Sequence, residues 1–135
     1  MKIVIDTNVL VSALFFGGKP QELLELAITK AIEAQVSPSI VDEYNEVIAR
    51  ITRKYPHKQG TFSIGNFIAN CQLVLPSQKI TVCRDNDDNK FIECALEAQC
   101  VYIVSGDDDL LSLKQFGNIE IIRVTDFFQR FRSRG

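Results

Sequence analysis

The feature of this chain that most narrows its fold is the alternation of short apolar runs with longer stretches of helical periodicity. Ile3-Val4-Ile5 and Val101-Tyr102-Ile103-Val104 are the clearest runs. Unbroken apolar runs of this length suit strands covered on both faces, as in parallel sheets. Residues 34–36 and 119–124 read as two more strands, and residues 76–81 as a loop or a short strand. Between the runs, apolar residues recur every three or four positions. The strongest such stripe is Ile40, Val41, Tyr44, Val47, Ile48 and Ile51, one face of a helix. A second is Phe91, Ile92, Ala95 and Leu96. The expected fold is α/β, with a parallel central sheet of about five strands flanked by helices in three layers.

Local signals mark the boundaries. Residues 9–16 form a short apolar helix or turn, broken by Gly17-Gly18. Pro20 suits the first turn of a helix running to about residue 30. Ser37 and Ser39 offer caps for the helix that Tyr55-Pro56 ends. A further helix is expected over residues 61–73, one opening at residues 85–89, and a short one ending at Ser112-Leu113. Thr125 can cap a last helix through Phe131. A length of 135 residues suits one domain spanning 1–135 with a real core, its end at 132–135 frayed.

Charge enters because the net value is only −2, so no global basic field announces a nucleic-acid partner. Positive charge is clustered instead. Arg50, Arg53, Lys54, His57 and Lys58 form one group, and Arg123, Arg130, Arg132 and Arg134 another. His57, the only histidine, reads as a surface residue. The cysteines at 71, 83, 94 and 100 lack CxxC spacing, which disfavours zinc and suits a reducing compartment. Cys71 and Cys94 read as small core residues. Asp6 and Asn8 interrupt the N-terminal apolar stretch, so no secretory signal is expected there. Residues 9–16 are too few to span a bilayer. A cytoplasmic protein without membrane contact is expected.

Four carboxylates stand out against this pattern. Asp6 closes the first apolar run, and Asp107 follows the run at 101–104. Ligands of open α/β sheets bind beyond the carboxyl ends of strands, where both acids stand. Glu43 lies three residues after Ile40 and four before Val47, flanking the buried face of its helix. Asp88 lies three before Phe91, on the core side of its helix's first turn. Such places are poor ones for acids that serve folding alone. Meeting in one crevice, the four can hold Mg²⁺ or Mn²⁺, which take hard oxygen ligands. Two such ions roughly 3.5–4 Å apart clamp the attacking and leaving oxygens of a phosphodiester and activate water.

Each acid alone has a plainer reading. Asp6 can cap the turn after it, and Glu43 can pair with an arginine. Asp107-Asp108-Asp109 reads equally as a helix cap. Asp85 and Asp87 read as favourable charges at a helix start. The joint pattern is what points to a metal. Other motifs fail. The run at 85–89 hints at a calcium loop, but Lys90 stands where the turn needs Gly and Leu96 where the bidentate Glu belongs. Gly17-Gly18-Lys19 is no phosphate loop. Asp6-Thr7-Asn8 has Asn8 in place of the second acid of a dehalogenase-type phosphatase. No Ser or Cys has a plausible His partner.

The opening Ile3-Val4-Ile5-Asp6-Thr7-Asn8-Val9-Leu10 resembles the start of a PIN domain. Ser37 with Glu43 six residues on is similar to the second motif of that family. Residues 85–92, Asp-Asn-Asp-Asp-Asn-Lys-Phe-Ile, resemble the third in the form used by a subgroup of PIN toxins. Residues 104–111, Val-Ser-Gly-Asp-Asp-Asp-Leu-Leu, resemble the fourth. The likeness runs from residue 1 to about residue 128, and it is the order and spacing of all four motifs that make it specific. It implies a metal-dependent endoribonuclease, cutting single-stranded RNA with Mg²⁺ or Mn²⁺. Asp6, Glu43, Asp88 and Asp107 would be catalytic and hold the metal, with Asp109 as a further ligand. Asn8 and Ser105 would shape the site, Ser105 standing where Thr is frequent. Arg50, Arg53 and Lys54 are candidates for holding RNA, as is the arginine-rich tail. The resemblance further implies a toxin with an antitoxin partner and a homodimer. The alternatives are a non-toxic PIN nuclease of RNA processing, and a module that binds RNA or protein with little turnover.

Overall fold

A computed structural model of the chain describes residues 1–56 and 63–134, the last two by backbone only. The elements in chain order are β1 (Lys2–Ile5), α1 (Thr7–Phe16), α2 (Gly18–Ile28), β2 (Glu33–Val36), α3 (Pro38–Lys54), α4 (Ile64–Asn70) and β3 (Gln72–Leu73). A 3₁₀ turn at Asn86–Asp88 leads into α5 (Asn89–Ala98). Then come β4 (Tyr102–Val104), α6 (Asp108–Leu111), β5 (Gln115–Phe116), β6 (Ile119–Ile122) and α7 (Val124–Arg134).

The six strands form one sheet in the order β3-β2-β1-β4-β6-β5. All pairings are parallel except β5 with β6. Consecutive residues of a strand face opposite sides. Ile3, Val4 and Ile5 are each at most 1% exposed, and Ile103 and Val104 are fully buried, so both faces of the central pair are covered. Helix α5 packs on β1, β2 and β4, while α2 packs against α1, α4 and α7. No described helix is long and apolar enough to cross a membrane.

The structure corrects several boundaries. The expected helix over 61–73 is α4, ending at Asn70. Gln72 and Leu73 instead extend the sheet beside β2, and of the two readings open for residues 76–81 the structure shows the loop. Thr61 and Phe62 lie outside the described residues, as do His57 and Lys58. The antiparallel β5–β6 hairpin was not expected. Its signal was present, since Gly117-Asn118 between Phe116 and Ile119 is a two-residue turn with Gly117 at φ 58°. Thr125 does not cap the last helix, which starts one residue earlier. The Asp126 carboxylate accepts from the Arg123 N–H, the reciprocal half of a capping box. Helix α7 runs on to Arg134, through the stretch expected to fray, and Gly135 lies outside the described residues.

Candidate functional site

From the neighbours β1 and β4, strand order runs outward in opposite directions. This is a switch point, where open α/β sheets leave a crevice beyond the strand ends. Ile5 and Val104 are partners in register, so Asp6 and Ser105 emerge side by side. The Asp6 N–H donates to the Val104 carbonyl at 3.0 Å. The Ser105 hydroxyl donates to Asp6 Oδ2 at 2.6 Å and accepts the Asp107 N–H at 2.9 Å. One buried hydroxyl thus ties the two strand-end acids together. The Asn8 N–H donates to Asp6 Oδ1 at 3.3 Å, so Asp6 caps α1. Asp107 caps α6 through the Asp109 N–H. The capping readings are therefore met at both strand ends.

Helix α3 is anchored to the same corner. Ser37 caps it, and the fully buried Tyr44 donates its hydroxyl to the Ile5 carbonyl. That bond holds Glu43, the preceding residue, over the end of β1. Neither Glu43 oxygen is free. Oε2 accepts from the Thr7 hydroxyl, and Oε1 pairs with Lys90 Nζ at 2.7 Å. Sequence reasoning missed both partners. Thr7 and Lys90 belong to motifs it noted, but nothing in their spacing shows that they reach another element.

Electrostatics show which acids share space. Burial pushes the Asp6 carboxyl up to about 6, against the opposing Ser105 and Asn8 hydrogen bonds; Asp107 and Glu43 add repulsion. Burial, then the Asp107 carboxylate, then Asp6 and Asp85 push Asp88 up to about 8. The buried Oδ2 of Asp88 has no hydrogen-bond partner among the described residues. Neutral Asp88 can share its proton with Asp107, whereas as a carboxylate it meets mainly negative charge. Carboxylate oxygens of Asp85, Asp88 and Asp109 lie within 4.8 Å of one another. Asp85 was read from sequence as a helix-start charge only. It does cap the 3₁₀ turn through the Asp87 N–H, and it also stands in this trio. Asp109 is held by Arg84 at 2.6 Å.

The donor set fits a hard divalent ion. It is all oxygen, it repels itself when empty, and one buried oxygen lacks a donor among the described residues. Cys83 lies in the same acidic field, but burial and those carboxylates push its thiol up to about 11, so it stays neutral and a poor ligand. Of the basic candidates, Arg50 lines a cavity of about 420 Å³ with Glu43 and Lys90. Arg53 and Lys54 are exposed in the last turn of α3, Lys54 lying over the Tyr55 ring. In the tail, Arg130 pairs with Glu120 and lies over Tyr102, and Arg132 lies over Phe128.

The Glu43–Lys90 pair should carry measurable stability, because its side chains are only 23% and 19% exposed. Lys90→Met should destabilise the metal-free protein by roughly 1–3 kcal/mol, the cost of leaving a partly buried charge unpaired. Adding Glu43→Gln should recover part of that loss. Urea melts of both single variants and the double in EDTA measure the coupling, and a coupling of zero would show that the two charges do not support each other.

A family model described as PIN domain matches residues 2–109. An uncharacterized protein of Methanocaldococcus jannaschii is 37% identical over 118 residues, covering 84% of this chain and 76% of that protein. A chain in the crystal structure of VapBC2 from Rickettsia felis, bound to a DNA fragment from their promoter, is similar in fold. Its TM-score is 0.60 at 14% identity, over 90% of this chain and 97% of that one.

Proposed function

This chain belongs to the PIN-domain family, and from that premise we propose that it is a metal-dependent endoribonuclease that cuts single-stranded RNA and acts as the toxin of a toxin–antitoxin pair. The observation that carries the nuclease reading is Asp88, whose buried, partnerless oxygen faces the charges of Asp107, Asp6 and Asp85. Such a carboxylate is costly to the fold unless a cation joins it. The toxin reading rests on the form of the motif at 85–92. An RNA-processing nuclease is the alternative.

In this reading Asp6, Asp88 and Asp107 hold Mg²⁺ or Mn²⁺, with Asp85 and Asp109 beside them and Glu43 at the rim. The ion supplies an activated water and neutralises charge on the phosphodiester. Ser105 fixes the rotamer of Asp6 and the backbone of Asp107 together. Thr7 and Lys90 fix Glu43, and Lys90 places a cation where the phosphate backbone must approach acids. Arg50 lies along the same approach. Antitoxin binding would cover this crevice, and the work would be done in the cytoplasm, with a homodimer as the assembled form.

Mixed RNAs incubated with Mn²⁺ or Mg²⁺ should be cut internally, and EDTA should stop the reaction. Intact RNA under both metals, with folded protein, would overturn the nuclease reading. Induced expression in a bacterial host should arrest growth, and expression of Asp6→Asn in place of wild type should not. Normal growth at confirmed levels of active protein would favour the RNA-processing role.

A further inference from the structure

Two cavities flank the acidic crevice, and they differ in charge. The one toward α3 sets Asp42, Glu43, Glu46 and Asp87 against Arg50 and Lys90 in its wall. The other measures about 530 Å³ and has no carboxylate among its lining residues. Its inner rim is Asn8 and Ser105, the residues that hold Asp6. Val11 and Val124 give it apolar walls, Ser12 adds a hydroxyl, and Arg123 supplies its one charge.

We propose that this second cavity is a nucleoside subsite, seating the nucleotide next to the cleaved phosphate. The inference rests on the nuclease reading and adds the path of the strand to it. With Arg50 and Lys90 meeting the phosphate backbone on the α3 side, the strand continues past the metal centre into the cavity whose one lining charge is Arg123, where no lining acid opposes it. The volume lies in the usual range for small-ligand sites. Unstacked bases are held by apolar or guanidinium faces and by hydrogen bonds at their edges. The valines offer the first, Asn8 and Ser12 the second. Arg123 is available for the phosphate or for stacking. Its ion pair with Asp108 spans 3.7 Å between side chains 57% and 91% exposed, and such a pair costs little to give up.

The test uses the full chain in EDTA, so that binding is read without cleavage. A short single-stranded oligoribonucleotide is titrated by fluorescence anisotropy. Arg123→Gln and Ser12→Glu, both at solvent-accessible positions, should each weaken binding roughly tenfold, as loss of a phosphate contact or addition of a repelling charge would. Lys79→Gln, an exposed charge change at a loop position that lines neither cavity, should not. A 5′-mononucleotide should compete better than inorganic phosphate; equal competition would make the cavity an anion site and overturn the nucleoside assignment. Wild-type affinity in both cavity variants would also overturn it, whether or not the protein cuts RNA. Weakened binding in the variants together with intact RNA under metal would keep the subsite and sink the nuclease reading instead.

Discussion

Asp6→Asn and Asp107→Asn should each lower Mn²⁺-supported RNA cleavage by about a hundredfold or more, the usual scale for removing one group that stabilises charge in a reacting centre. The physical case is strongest for Asp6. It is 3% exposed, it receives the Ser105 hydroxyl at 2.6 Å, and it stands at the end of the central strand pair. Asparagine keeps its shape and one acceptor oxygen while deleting the charge. The amide oxygen can keep the Asn8 N–H that caps α1 while the amide NH2 donates to the Ser105 hydroxyl, so the fold and the capped turn should survive. Glu22→Gln, which removes an exposed acid paired with Lys19, serves as the control and should cut like wild type. Rates should be measured with circular dichroism on the same samples. Wild-type cleavage by either Asp variant would remove that residue from the metal site.

The second large effect is on stability, and its sign is opposite to that of an ordinary active-site substitution. Asp88→Asn should raise the Tm of the metal-free protein, by an amount on the order of 5 °C at pH 8. Asp88 carries a folded-state pKa of about 8 against an ordinary 3.8. Between those values the folded state binds more protons than the unfolded one, so stability falls as pH rises. The contribution is fully present below about pH 4 and is lost as pH passes through 8. Asp6, raised to about 6, adds to the same slope over the lower part of the window. Wild-type protein in EDTA should therefore melt at lower temperature at pH 8.5 than at pH 5. Asp88→Asn should flatten that slope, because an amide has no charge to bury and can donate to Asp107.

Metal reverses the comparison. Mn²⁺ at about a hundred times its Kd should stabilise the wild type by roughly 2.7 kcal/mol and stabilise Asp88→Asn less. Melts across pH, with EDTA and with Mn²⁺, read all of this at once. Equal metal shifts in both proteins would sink Asp88 as a ligand. Glu43→Gln should behave differently. Its carboxylate already holds Lys90 and Thr7, so the apo protein should lose stability rather than gain it.

Much of the candidate site was legible because its residues break local rules. Asp6 and Asp107 end apolar strands, and Asp88 lies on the core side of a helix start, so periodicity alone marks them as misplaced for folding. Asn8 and Ser105 entered only through the family resemblance, and the structure places both against Asp6. Asp85 was passed over because a helix-start cap explains it fully at the local level, and the structure shows that the cap and the acidic trio coexist. The β5–β6 hairpin was passed over because strands of two residues are too short to show alternation. The end of α4 was overrun for a related reason, since Cys71 and Leu73 continue an apolar pattern that β2 claims for the sheet.

The sequence by itself determined the class of fold, the central strands, the principal helices and the acids that resist a packing explanation. These depend on periodicity and punctuation within a dozen residues. Tertiary structure alone decided what those acids touch. Ser105 reaches Asp6 across 99 positions and Lys90 reaches Glu43 across 47. Such contacts are set by which strands are neighbours and by how α3 and α5 pack beside them. Local patterning reports that a side chain is turned inward; it carries no information on what waits there.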